Sequence, residues 1–140
     1  QRATLTGIVA EIGDGSAAEI MRRFWHRLAD PQLWPHERLF FELYGQALQG
    51  RPHAVPLLDG VVDAWIEPAV ELARRHGVPT KDARAQARLG LAVIRGLLLD
   101  LLATGDRQGV DDAMELHIAS LGADEPDDPD ADHPEREDRR

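Results

Sequence analysis

The sequence predicts an all-α domain, a helical bundle of about six helices followed by a polar tail. Three observations predict it. Apolar residues recur at steps of three and four through most of the chain, and no stretch alternates apolar with polar as a half-buried strand would. Helix punctuation falls where that periodicity breaks, at Ser16, Asp30-Pro31, Gly50, Thr80 and Gly105. Residues 89–102 are apolar almost all the way round a helix, interrupted only by Gly90, Arg95, Gly96 and Asp100, so this helix must be covered on more than one side.

Taken in order, Leu5, Ile8, Val9 and Ile12 form one stripe, and Gly13-Asp14-Gly15 stops it. With no capping residue ahead of it, this segment reads as the end of a helix already under way. Ser16 to Glu19 is a capping box, which starts a second helix at Ala17 and carries it to about Ala29. Its inner face is expected to be Ile20, Met21, Phe24 and Leu28, with Trp25 at the edge and Arg22, Arg23 and Arg27 outward. Asp30-Pro31 ends it.

Trp34-Pro35 leads into a third helix with a stripe of Leu39, Phe40, Leu43, Tyr44, Ala47 and Leu48, closed by Gly50. A fourth is expected from near Pro56 to Gly77, with Leu58, Val61, Val62, Trp65, Ala69 and Leu72 inward. Asp59, Asp63 and Glu67 lie at steps of four on another side. Pro68 in its middle removes the bond to the Ala64 carbonyl, at a cost of about 3 kcal/mol, and predicts a kink.

Thr80 as N-cap, Asp82 against the positive end of the helix dipole and Gly105 as C-terminal stop predict a helix of about six turns from Lys81 to Ala103. The last helix carries Val110, Ala113, Met114, His117, Ile118 and Leu121 on one stripe, flanked by Asp111, Asp112 and Glu115. Two arrangements satisfy this pair. Either the long helix is a core helix beside a surface helix, or both pack on a symmetry mate in an intersubunit four-helix bundle. The second places Leu91, Leu98, Leu102, Val110, Met114, His117 and Leu121 in a homodimer interface.

Composition narrows the function. Without cysteine there are no disulfides, thiolate metal sites or cysteine nucleophile, which is compatible with a reducing compartment. No uncharged apolar run reaches membrane-spanning length and the start lacks signal-peptide anatomy, so the expectation is a soluble, cytoplasmic chain with no membrane partner. Of the formal charge of −9, residues 124–140 carry −6, with nine acids against three arginines; this tail is expected to be disordered. The body has no basic face to bind nucleic acid. The abundance of arginine over lysine hints at a GC-rich bacterial genome.

No catalytic constellation emerges. The two serines, Ser16 and Ser120, lie at a cap and near a helix end, and the six histidines include no HExxH. His36-Glu37 suits helix-start polarity better than metal ligation, and Asp59, Asp63 and Glu67 lack the Glu-x-x-His partners of a carboxylate-bridged metal bundle. No metal and no cofactor are expected.

All seven aromatic side chains (three Trp, one Tyr, three Phe) lie between residues 24 and 65, the kind of lining that apolar ligand cavities favour. Phe24, Trp25, Phe41 and Trp65 are the candidate walls of such a cavity; Tyr44, Asp63 and Arg95 are its candidate polar anchors. Arg95 interrupts the apolar part of the long helix. A buried guanidinium needs an acceptor, which is a ligand, a carboxylate such as Asp63 or Glu67, or solvent reached by snorkelling.

The order of segments, LFFELYGQAL, then PLLDGVVDAWIEPAVELARRHG, then ARLGLAVIRGLLLDLLATGD and a short amphipathic helix, resembles the C-terminal regulatory domain of TetR-family transcriptional regulators over about residues 1 to 122. The resemblance implies that residues 1–12 are the end of a connecting helix and that 13–122 form a ligand-binding and dimerisation domain, with 123–140 as the tail. It implies an N-terminal helix-turn-helix domain of about fifty residues ahead of Gln1, outside this chain, through which alone DNA would be contacted. It also implies a four-helix bundle made by the last two helices of each subunit. A small hydrophobic or aromatic effector in a pocket of the middle helices would release DNA by shifting the connecting helix. The alternative is a helical protein–protein interaction module with no small-molecule pocket.

Overall fold

A computed structural model describes Gly7, residues 15–75, Gly77 and residues 79–123. The helix end expected at 1–12 and the acidic tail at 124–140 lie outside the described residues, apart from Gly7. Among the described residues there are five α-helices and no strand: α1 (Ala17–Leu28), α2 (Trp34–Leu48), α3 (Asp63–Arg75), α4 (Thr80–Thr104) and α5 (Arg107–Ala123). Short 3-10 turns at Pro31–Leu33 and Val55–Leu58 join them.

Local chemistry places most boundaries. At the start of α1 the Glu19 amide donates to the Ser16 hydroxyl at 3.3 Å and the Ser16 amide donates to the Glu19 carboxylate at 3.0 Å, the reciprocal pair of a capping box. Gly105 ends α4 in the left-handed conformation (φ 72°), its amide donating to the Leu101 carbonyl at 2.8 Å. The N-cap of α4 is Pro79 rather than Thr80, with no side-chain capping bond.

Helix α3 begins at Asp63, not near Pro56. The expected continuous helix is interrupted because Asp59 is extended (ψ 108°) and Gly60 has φ 68°, a turn that an ordinary L-residue resists. Beyond that break α3 continues through Pro68.

Helix α4 is the spine. Its first half packs on α3, where Ile66, Val70, Ala83 and Leu91 form one buried cluster. Its second half packs on α1 and α5 in a larger cluster that includes Phe24, Trp25, Leu28, Ile94, Leu98, Leu101, Val110, Met114 and Ile118. Trp65, half-buried, touches both clusters and so ties them together. Full burial of each large aliphatic side chain contributes about 1.5–3 kcal/mol, so the larger cluster dominates the stability.

Polar contacts fix α1 against α5. The Trp25 indole Nε1 donates to Asp111 Oδ1 at 2.6 Å, and Arg107 holds the other Asp111 oxygen at 2.7 Å while donating to the Ala29 carbonyl at 3.0 Å. Arg22 grips Glu115 through two bonds of 2.7 and 2.8 Å. Trp25 is therefore a core residue with a satisfied N–H, not an edge residue. Arg22, expected outward, is half-buried in its pair with Glu115.

The structure revises which faces are covered. On α2, Leu39 is 54% exposed and Leu48 66%, while Glu37 is buried in their stead. On α4 and α5, Leu91, Leu98, Val110 and Met114 are buried within the single chain, because α1 and α3 occupy the sides that a second copy was expected to cover. Leu102, His117 and Leu121 are half-buried. The exposed side of α4 carries instead Ala85, Leu89, Ala92, Gly96, Leu99 and Ala103, at alternating steps of four and three.

Candidate functional site

The break between the 3-10 turn and α3 leaves a cleft of about 540 Å³ beside α2. One wall is a single face of α2, with His36, Glu37, Leu39, Phe40 and Leu43 at helical spacing. The other is the connecting segment and the start of α3: Pro56, Leu57, Asp59, Val61, Ala64 and Trp65. The volume lies within the range of roughly 300–1,000 Å³ typical of small-molecule sites, but the space is a groove open to solvent rather than an enclosed cavity.

Behind this cleft lies a void of about 10 Å³, room for about one water molecule. It is lined by Leu28, Phe41, Leu91, Ile94, Arg95 and Leu98, and by Glu37, Phe40 and Trp65, which also line the cleft. These last three side chains therefore border both spaces. Glu37 is only 4% exposed and makes an interaction within the chain.

Arg95 lies against two aromatic rings, its guanidinium carbon 5.8 Å from the Phe40 centroid and 5.3 Å from that of Tyr44. Such stacking suits a planar guanidinium. Its Nη2 is buried without a hydrogen-bond partner among the described residues.

The expected site residues are thus divided. Trp65 lines the cleft, and Phe41, Trp65 and Arg95 line the inner void. Tyr44 is a stacking partner of Arg95. Phe24 and Trp25 belong to the main core, Phe24 meeting Trp65 edge-on at 5.6 Å. Asp63 is no anchor for Arg95 either. It is exposed and pairs with Arg84 at 3.2 Å, and the same guanidinium binds Glu67 at 2.7 Å. Hydrogen bonding to Glu67 first, and the nearby charges of Glu67 and Asp63, raise the Arg84 pKa above its ordinary value. Both carboxylates considered for Arg95 are therefore engaged elsewhere.

His36, Glu37, Leu43 and Asp59 were not foreseen as a lining, and Phe40 only as one of the seven aromatics. The signal available was Gly60, whose position inside an otherwise helical pattern marks a break where two elements can part. Among the described residues no group of three or more His, Cys, Asp or Glu side chains could hold a metal ion, and no helix is long and apolar enough to cross a membrane. Compared with protein-family models, with curated proteins and with solved structures, the chain finds no match.

Proposed function

We propose that the chain is the effector-sensing and dimerising part of a one-component bacterial transcriptional regulator of the TetR type. A small ligand with a substantial apolar part occupies the cleft between α2 and the 56–65 segment. The observation that carries the reading is the cleft itself, about 540 Å³ with Phe40 and Trp65 among its lining. A ligand there touches Trp65, which packs on both core clusters, so occupancy can bias the packing of α3 and α1 on α4. Its effect on DNA binding, through a domain outside this chain, equals the difference in its affinity for the two packings and no more.

The homodimer has its own support. Leu89 is 59% and Leu99 51% exposed within the heptad-spaced side of α4, and its small residues let a second backbone approach closely. That face, rather than the residues already buried by α1 and α3, is the contact available to a second copy. The same stripe also suits a helical interaction module that binds another protein and no small molecule.

Native mass spectrometry of the purified protein separates the readings. A dimer that retains a small molecule, or takes one up and loses it on Ala64→Phe in the cleft wall, supports the sensor. A monomer that binds no small molecule at any concentration up to about 1 mM, a free energy near −4 kcal/mol, removes it.

A further inference from the structure

We propose that the outer side of α4 pairs antiparallel with the same side of a second copy of this chain, about a two-fold axis that passes between Ala92 and Gly96. This rests on the homodimer reading and not on the cleft. Ala85, Leu89, Ala92, Gly96, Leu99 and Ala103 are all exposed, and their heptad spacing keeps them on one seam. From either end their sizes run small, large, small, small, large, small. An antiparallel contact between identical faces requires the seam, read backwards, to match itself. It does: Leu89 falls opposite the partner's Leu99, Ala92 opposite the partner's Gly96 and Ala85 opposite the partner's Ala103. Sliding one copy by a heptad breaks the match, for it sets Leu99 against the partner's Asp82 or carries Leu89 past the end of the partner's α4. A parallel pair would set every residue against its own copy and would need no such symmetry.

Gly96 supplies an independent observation. Glycine inside an exposed helix weakens it relative to alanine. Gly90 is buried, with the Met21 methyl 3.4 Å from where a Cβ would lie, and Gly109 accommodates the Asp106 carboxylate that accepts from its amide. At Gly96 a Cβ would meet no atom within 4 Å, so its own chain gives no packing reason for a glycine there. Beside the axis, however, a glycine facing an alanine lets two backbones approach closely. The leucines on either side, Leu89 at 59% and Leu99 at 51% exposure, would then be covered together. The flanks accept this sense. On one, the half-buried Val93 meets the partner's Val93, and the Gln86 amide can donate to the partner's Asp100. On the other, Arg95 is turned onto Phe40 and Tyr44 of its own chain, at 5.8 and 5.3 Å, which holds the two guanidiniums apart.

The chain contains no cysteine, so single cysteines report the pairing without background. Leu89→Cys and Leu99→Cys are to be oxidised separately and after mixing with subunit exchange. In the antiparallel pair residue 89 adjoins residue 99 of the other copy and lies ten residues, about 15 Å, from its own counterpart, too far for a disulfide. The mixture is therefore expected to give covalent dimers containing one of each variant, at least about tenfold more than either variant alone. Gly96→Gln should raise the urea midpoint of the dilute, monomeric chain and yet raise the dimer dissociation constant at least about tenfold. Cross-linking of Leu89→Cys with itself would overturn the antiparallel sense and leave the homodimer. A dimer that none of these cysteines link, or whose dissociation constant Gly96→Gln leaves unchanged, would overturn the use of this face. A chain that stays monomeric in sedimentation up to about 1 mM would overturn the pairing and the homodimer together.

Discussion

Leu98 and Leu99 are neighbours in sequence and about 100° apart around α4, which makes them a direct test of which side of that helix the chain covers for itself. Leu98 is 3% exposed in the cluster it shares with α1 and α5, whereas Leu99 is 51% exposed. Leu98→Ala leaves a cavity that rigid neighbours refill only in part, a loss of about 2–5 kcal/mol from the stability of each chain. For a domain of this size that lowers Tm by roughly 8–20 °C. Leu99→Arg should change the stability of the separate chain by no more than about 0.5 kcal/mol. If the outer side of α4 is the dimer contact, however, the arginine must be desolvated against an apolar partner. A cost of about 2 kcal/mol there raises the dissociation constant roughly thirtyfold. The assays are urea unfolding followed by circular dichroism, at fixed protein concentration because a dimer's stability depends on it, and sedimentation velocity across a dilution series. Dissociation of the dimer by Leu98→Ala with the unfolding midpoint unmoved would refute the assignment of the two sides. Unchanged self-association in Leu99→Arg would remove the proposed interface.

Ser16→Ala removes one half of the α1 capping box and should cost about 0.5–2 kcal/mol, read as a lower urea midpoint with unchanged slope. Gly105→Ala forces an L-residue to φ 72° and should cost about 1–2 kcal/mol, although no atom lies within 4 Å of the added methyl. Trp25→Phe deletes the 2.6 Å bond to Asp111 and should cost about 1–3 kcal/mol; a loss below 0.5 kcal/mol would mean that the indole N–H has another partner in solution. Hydrogen bonding to Arg22 lowers the Glu115 pKa below its ordinary 4.5, so the pair's contribution is fully present above that value and fades as pH falls through the folded-state pKa. Arg22→Gln should flatten the acid side of the stability profile below about pH 4.5, and an unaltered profile would show that the pair contributes nothing measurable.

Much of the fold was legible in the sequence. The capping box at Ser16, the left-handed stop at Gly105 and the buried stripe of Val110, Met114 and Ile118 all involve residues within a few positions of one another, and each is where the sequence indicated. Helix α3 was misread at its start because Leu58, Val61, Val62 and Trp65 keep helical spacing across Gly60, and one glycine is a weak local signal against four apolar residues. The site was legible only in its region. Trp65 lines the cleft and Phe41 only the space for about one water, while Glu37 drew attention only as helix-start polarity, since nothing local shows that an acid in a first turn will be buried.

The all-helical class, most helix ends and the need of the 89–102 segment for cover on several sides can be read from local pattern, because these follow from the backbone and from neighbours within about one or two turns. What supplies that cover, and what is left open, follows from how distant helices pack. Trp25 finds Asp111 across 86 residues of chain and Arg84 takes Asp63 from 21 residues away. With α1 and α3 on two sides of α4, the stripe from Ala85 to Ala103 is left outside, and the turn at Gly60 leaves a cleft beside α2. Periodicity marks a side chain as apolar and places it on a helix face; which neighbour covers that face is set by competition among helices far apart in sequence, and only their packing resolves it.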